Sequence, residues 1–145
     1  GSLEEQKEHV YNPTHVAPLH RTSQELVREH WALISPILKS ERGKQIVEPR
    51  CFLEVELEKR EKIAEGIADA IGITANGNFI IMEHTSVPTP SQNGSNEKYR
   101  QVERHADLFL RKYGTDLSVR PVCIFYQQLD DKTMFLKIGH ANQSV

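Results

Sequence analysis

The strongest constraint on the fold is a hairpin signal between residues 66 and 87. One apolar run ends at Thr74, a second begins at Phe79, and Ala75-Asn76-Gly77 stands between them. These three residues can close a hairpin loop with Gly77 in the left-handed position of a G1 bulge, which glycine adopts without a Cβ clash. The loop pairs Thr74 with Asn78. The apolar flanks predict that this hairpin is buried at the centre of a sheet.

The register of this hairpin decides where two acids lie. With a three-residue loop, Asp69 faces Glu83 on the same side of the sheet, with Cβ atoms about 5 Å apart. Two ionised carboxylates at that separation repel each other unless a cation lies between them. A two-residue loop would pair Asp69 with His84 and put the acids on opposite faces. A third alternative is two solvated acids at frayed strand ends, so the sequence leaves a metal site as one of three interpretations.

Composition limits the classes of protein to consider. The chain has 145 residues, of which 38% are apolar, and 18 Lys and Arg balance 20 Asp and Glu. We expect one soluble, intracellular domain with a real core and no membrane segment. The net charge of −2 argues against a general nucleic-acid coat, but it allows an enzyme that contacts phosphodiesters through metal ions. Cys51 and Cys123 are predicted to be reduced core residues.

The chain divides into three parts. Residues 1–22 are predicted to be an irregular lead-in that opens with Gly1-Ser2, which we interpret as an expression scar. Residues 23–140 are predicted to form a single domain, and residues 141–145 a flexible tail. Ser23 is a candidate N-cap for a first helix that Pro36 should kink.

The remaining elements predict a mixed α/β fold. Residues 51–57 alternate like a strand but run into a charged stretch, so strand and helix both stay open. Ser95 is expected to cap a second helix that ends at Gly114, and strands follow at 119–126 and 133–138. The fold class is therefore α/β, with a mixed β-sheet, a central hairpin and flanking helices.

His30 is a candidate ligand on the first helix. It lies at helical spacing from Leu26, Leu33 and Ile37, so we expect its imidazole to point into the interior. A hydrogen-bonded core histidine is the simpler interpretation, although neutral imidazole is also a common ligand of transition metals.

Two further residues are candidates with ordinary alternatives. Glu54 interrupts an apolar stretch, and alternation groups it with Glu56, so it is either a ligand or part of a solvated strand face. Lys98 falls in the first turn of the predicted second helix, where the helix dipole opposes a cation. It is therefore either a charge placed beside a scissile phosphate or a surface lysine.

His84 and His105 are weaker candidates. Because adjacent strand residues face opposite ways, the side chain of His84 should leave the site that Glu83 enters. The backbone carbonyl of His84 could still serve as a metal ligand.

Five side chains in this order resemble the cap-snatching endonuclease domain of segmented negative-strand RNA virus polymerases: His30, Glu54, Asp69, Glu83 and Lys98. This family is a branch of the PD-(D/E)XK nuclease superfamily, and the hairpin is similar to its bunyavirus-like form. The resemblance covers residues 30 to about 113. Ala68 stands where the family usually has proline, and Thr85 where it usually has lysine, which leaves Lys98 as the candidate catalytic lysine.

The resemblance implies a PD-(D/E)XK-like fold and a centre with two Mn²⁺ ions, with Mg²⁺ as the alternative metal. His30, Asp69 and Glu83 would surround one ion, and Glu54 and Asp69 the other. The backbone carbonyl of His84 is a further candidate ligand. The implied catalytic residues are Asp69, Glu83 and Lys98.

The implied function is a metal-dependent endoribonuclease that produces capped primers for viral transcription. The expected partners are single-stranded or capped RNA and the remainder of a viral RNA-dependent RNA polymerase in the host cytoplasm, with the isolated domain a monomer. Two alternatives stay open: a DNA-cleaving nuclease of the same superfamily, and a degenerate nuclease fold that serves as a binding module.

Overall fold

The structure, a computed structural model, describes residues 18–38, 45–86 and 94–140. Its helices are α1 (Pro18–Glu29), α2 (Trp31–Leu38) and α3 (Gly94–Tyr113), with a 3-10 turn at Ile63–Gly66. Its strands are β1 (Arg50–Glu56), β2 (Ile67–Ile73), β3 (Phe79–Ser86), β4 (Val119–Gln128) and β5 (Met134–His140). None of the described helices is long and apolar enough to cross a bilayer.

The five strands form one mixed sheet in the order β1-β2-β3-β4-β5. Neighbouring strands are antiparallel except β3 and β4, which are parallel. Because parallel neighbours need a crossover connection, α3 links β3 to β4. The predicted α/β class, with a mixed sheet, a central hairpin and flanking helices, is confirmed.

The hairpin loop has the predicted geometry. The Thr74 N–H donates to the Asn78 carbonyl at 2.9 Å, and the Gly77 N–H donates to the Thr74 carbonyl at 2.9 Å. Gly77 has a φ of 78°, the left-handed region in which glycine avoids a Cβ clash. The ladder pairs Ile73 with Phe79, which is the register of the three-residue loop.

Apolar layers cover both faces of the sheet. This explains why the sequences of β2 and β3 are nearly continuous apolar runs. On one face, α1 and α2 pack Val27, Trp31 and Leu38 against the strands. On the other face, α3 packs Val102 and Phe109 against them. Cys51 and Cys123, which are free, belong to these layers, as the sequence predicts.

At one point in each of strands β1 and β2, the alternation of side chains between the α1–α2 layer and the α3 layer is reversed. Leu53 packs in the α1–α2 layer, but Val55, two residues later, packs in the α3 layer. The intervening Glu54 has a φ of 51°, and β2 shows the same change on either side of Asp69. The ladder pairs the residues on both sides of this point but does not pair Glu54 with Asp69. At this interruption, the side chains of Glu54 and Asp69 do not follow the ordinary alternation of a strand.

Several predicted boundaries are wrong. Helix α1 begins at Pro18, so residues 18–22 are not an irregular lead-in and Ser23 is a buried helical residue. Proline suits a helix start because its missing N–H has no intrahelical partner there. The chain breaks at His30, between α1 and α2, although Pro36 was the predicted kink.

The later elements follow the predictions more closely. Residues 51–57, left open between strand and helix, contribute to β1. Helix α3 begins at Gly94, one residue before the predicted cap, and ends before Gly114, whose φ is 143°. The predicted tail at 141–145 lies outside the described residues, as do residues 1–17 of the lead-in.

Candidate metal centre

The structure brings Asp69 and Glu83 together where the β2–β3 ladder ends. Each carboxyl group shifts the pKa of the other, which indicates that the two groups lie close together. The backbone N–H of His84 donates to Asp69 Oδ2 at 2.7 Å. The Asp69 side chain therefore accepts an N–H of the neighbouring strand, which fixes this carboxylate against β3.

The pKa values of Asp69 and Glu83 are shifted in opposite directions. Burial, and then the neighbouring charge of Asp69, raises the pKa of Glu83 well above its usual value. Burial would also raise the pKa of Asp69, but the contact with His20, together with the neighbouring Glu83 carboxyl group, outweighs it and holds that pKa well below the usual range. In the metal-free protein, Glu83 therefore holds the proton and Asp69 the negative charge.

His105 on α3 holds Glu83 from the other side. Its Nε2 lies 3.0 Å from the backbone carbonyl of Glu65, and its Nδ1 contacts Glu83 Oε1. A carbonyl only accepts, so Nε2 must carry hydrogen, and Nδ1 of the neutral ring is then an acceptor. Burial lowers the pKa of His105, which favours this neutral ring. The proton of Glu83 therefore points at His105.

Helix α1 supplies two side chains to the same centre. His20 and Gln24 lie one helical turn apart, so they project from one face of α1. His20 Nε2 lies 3.5 Å from Asp69 Oδ2. Gln24 Nε2 donates to Glu54 Oε1 at 2.7 Å and to the Asp69 carbonyl at 2.7 Å.

These residues fit a divalent cation. Donor atoms of His20, Glu54 and Asp69 all lie within 4.8 Å of one another. One imidazole and two carboxylates suit a first-row transition ion. Among the described residues, Glu83 Oε2 and Gln24 Oε1 are buried oxygens without a hydrogen-bond partner. Unpaired buried acceptors are uncommon, and both lie on residues that contact the cluster.

Glu54, rather than Glu56, belongs to the cluster. The side chain of Glu54 is only 3% exposed, so it is not part of a solvated strand face. Its positive φ costs a non-glycine residue about 1–3 kcal/mol, and such strain persists only where the surroundings impose it. Strained residues concentrate at functional sites.

The prediction that His30 points inward is wrong. His30 is exposed at the break between α1 and α2, and His20 takes the place beside Asp69. The buried face of α2 is formed by Trp31, Ser35 and Leu38, whereas Leu33 and Ile37 are 74% and 71% exposed. The spacing that groups His30 with Leu33 and Ile37 therefore marks the exposed face of this segment and not its buried face.

A different pattern could have indicated His20. Three histidines lie in the predicted lead-in, and His20 both follows Pro18, which suits a helix start, and precedes Gln24 by four residues. The interpretation of this stretch as irregular excludes His20 from the candidate ligands.

His84 faces away from Glu83, as predicted. Its wholly buried ring contacts Ser23 Oγ at 2.6 Å through Nδ1, on the α1 side of the sheet. Burial lowers its pKa to about 3, so the ring is neutral. The role of its backbone carbonyl as a metal ligand stays a prediction.

Lys98 lies on the face of α3 that also carries Val102 and His105. Since α3 begins at Gly94, Lys98 is in the second turn rather than the first. It is half-buried, and its positive charge lowers the pKa of Glu83, which indicates electrostatic proximity. Its catalytic role stays a prediction.

Comparisons of this chain with protein-family models, curated proteins and solved structures found no match. The resemblance to cap-snatching endonucleases therefore stays a prediction. The structure changes one of its five residues, because His20 replaces His30 beside the acids.

Proposed function

We propose that this protein is a metal-dependent nuclease that hydrolyses the phosphodiester bonds of RNA. The observation that carries the proposal is the cluster of His20, Glu54 and Asp69 donor atoms within 4.8 Å of one another, at the interruption in β1 and β2. The buried, unpartnered Glu83 Oε2 beside Asp69 supports it. We also propose the finer role of releasing capped primers within a viral polymerase in the host cytoplasm, on the resemblance alone.

The chain has residues to hold the metal and to assist it. His20, Glu54 and Asp69 would be ligands, with Glu83 joining them in its ionised form. Bound Mn²⁺ or Mg²⁺ would supply Lewis-acid chemistry, lowering the pKa of an attacking water and stabilising the leaving oxygen. The His84 N–H keeps Asp69 oriented toward the centre.

In this proposal, Lys98 acts on the substrate and does not bind the metal. Its ammonium group would neutralise charge that develops on the scissile phosphate, the kind of preorganised stabilisation that lowers a reaction barrier. Such a site contacts the phosphate backbone, so substrate preference between RNA and DNA depends on contacts beyond it.

The test combines a melting curve with a cleavage assay. Millimolar Mn²⁺ should raise the melting temperature of the wild-type chain, because a ligand that binds only the native state stabilises it. The same ion should support cleavage of a fluorescent single-stranded RNA, with a single-stranded DNA of the same sequence as the substrate control. Asp69→Ala should lose both effects.

Asp131→Ala, which removes an exposed acid near the β4–β5 turn, is the matched control and should keep both effects. A wild-type melting curve that Mn²⁺ leaves unchanged contradicts the metal centre. Stabilisation by Mn²⁺ without cleavage of either nucleic acid supports the binding-module alternative.

A further inference from the structure

Gln24 is a wholly buried amide whose orientation its neighbours decide. Its nitrogen lies 2.7 Å from Glu54 Oε1 and 2.7 Å from the Asp69 carbonyl oxygen. Both neighbours are acceptors, so the NH₂ group must occupy this position and the amide oxygen must point elsewhere. That leaves Gln24 Oε1 buried and without a partner among the described residues.

The two acceptors belong to the one position where the β1–β2 ladder is interrupted. The ladder pairs Leu53 with Ala70 and Val55 with Ala68, and it omits Glu54 and Asp69 between them. A buried backbone carbonyl that leaves a ladder needs another donor. The NH₂ group of Gln24 supplies that donor and binds the Glu54 carboxyl group with its second hydrogen.

The positive φ of Glu54 needs a restraint of this kind. A non-glycine residue adopts φ near 51° only when its surroundings impose it. Because Gln24 is one turn from His20 on α1, the same helix that offers the imidazole also holds the Glu54 carboxylate.

From these contacts we infer that Gln24 is a positioning residue of the metal centre, which orients Glu54 for the cation through its amide NH₂ group. This inference rests on the proposed function. The unpartnered Oε1 lies at most about 5 Å from Glu54 Oε1, since the two heteroatoms of an amide are about 2.3 Å apart. An acceptor at that distance suits a hydrogen bond from water bound to the cation.

The test measures Mn²⁺ affinity by calorimetry on the 145-residue chain. Gln24→Met keeps the length of the side chain and removes both donors, and it should weaken Mn²⁺ binding by about 10–100-fold, as for other residues that orient metal ligands. Val27→Ala is the matched control, because it weakens packing of the same helix and the valine side chain has no hydrogen-bond donor for Glu54. It should bind Mn²⁺ with wild-type affinity.

A double-mutant cycle tests whether Gln24 acts through Glu54. In a Glu54→Ala background, Gln24→Met should cause a smaller loss of affinity than it causes in the wild-type chain. An equal loss in both backgrounds overturns the inference, as does equal weakening by Gln24→Met and Val27→Ala, which would show a purely structural effect. Gln24→Ala is measured in the same way, so that the cycle stands if the methionine variant does not fold.

The outcome also separates this inference from the proposed function. Wild-type affinity in Gln24→Met, with binding lost in Asp69→Ala, overturns the role of Gln24 and leaves the metal centre intact. Wild-type affinity in Asp69→Ala overturns the metal centre, and the role of Gln24 with it.

Discussion

His105 Nδ1 and Glu83 Oε1 are in hydrogen-bond contact. The Glu65 carbonyl accepts from Nε2 of the same ring, so neutral His105 accepts at Nδ1 and the proton of this hydrogen bond belongs to Glu83. Glu83 is also the buried acid beside Asp69, and a cation bound there favours its ionised form. Protonation of Glu83 and metal binding at the centre therefore oppose each other.

Metal binding should release a proton. Because the pKa of Glu83 is raised well above its usual value, a cation must displace its proton, and Mn²⁺ affinity should increase with pH. Calorimetry in two buffers of different ionisation enthalpy measures the release directly. Glu83→Gln, which has no acidic proton, should show a smaller difference between the two heats. Equal heats in the wild-type protein contradict the prediction.

Without metal, Glu83 should make stability depend on pH. Its folded pKa is above the unfolded value of about 4.3, so its contribution is complete below that pH and is lost as pH rises through the folded pKa. The melting temperature of wild type should therefore fall relative to Glu83→Gln as pH rises from about 5 to about 8. A constant difference between the two melting temperatures would show that Glu83 does not titrate abnormally.

Two substitutions of Asp69 should separate its structural and metal-binding roles. Asp69→Ala leaves the buried N–H of His84 without its acceptor, which should lower the free energy of unfolding by about 1–3 kcal/mol. Asp69→Asn keeps an oxygen for that N–H and should retain most of the stability. Both variants should lose Mn²⁺ binding. Chemical denaturation and calorimetry on the same samples check this, and equal destabilisation by both variants contradicts it.

Lys98→Ala should separate binding from chemistry. The lysine is proposed to contact the phosphate, so Mn²⁺ affinity should survive while RNA cleavage falls by about 100-fold or more. Arg100→Ala, which removes an exposed cation from the same helix, is the control and should cleave normally. Retained cleavage in Lys98→Ala would show that Lys98 is an ordinary surface lysine.

Gly72→Ala should destabilise the fold through a clash with Trp31. An added Cβ would lie 2.1 Å from the Trp31 ring, whose Nε1 donates to the Ile73 carbonyl at 2.9 Å. Overpacking of this kind costs about 1–3 kcal/mol. Trp31→Phe removes the ring atoms that clash, so thermal denaturation should show that the double variant loses less than the two single losses combined. Additive losses would contradict the clash.

Local chemistry made the hairpin predictable. Gly77 after Asn76 selects the loop, the loop selects the register, and the register brings Asp69 to Glu83. Each step depends on residues close in sequence, where turn preferences are strong. The sheet class and the end of α3 at Gly114 follow from signals of the same kind.

The outward position of His30 was unpredictable for a different reason. Helix α2 carries apolar side chains on more than one face, so spacing alone does not say whether Leu33 or Trp31 is buried. The large Trp31 ring packs against Gly72, a contact distant in sequence, and its burial turns His30 outward. Glu54, which has a positive φ, likewise accepts a hydrogen bond from Gln24, a contact across 30 positions that local sequence around Glu54 does not reveal.

The location of His20 and Gln24 on α1 affects how the centre forms. Their partners Glu54 and Asp69 lie in two strands far along the chain, so no short segment can assemble the ligand set in advance. Closing loops of that length is a late and entropically costly event during folding. In the proposed centre, the complete ligand set therefore forms only once α1 has docked on the sheet. Binding of Mn²⁺ with native affinity by a refolding chain would mark that step.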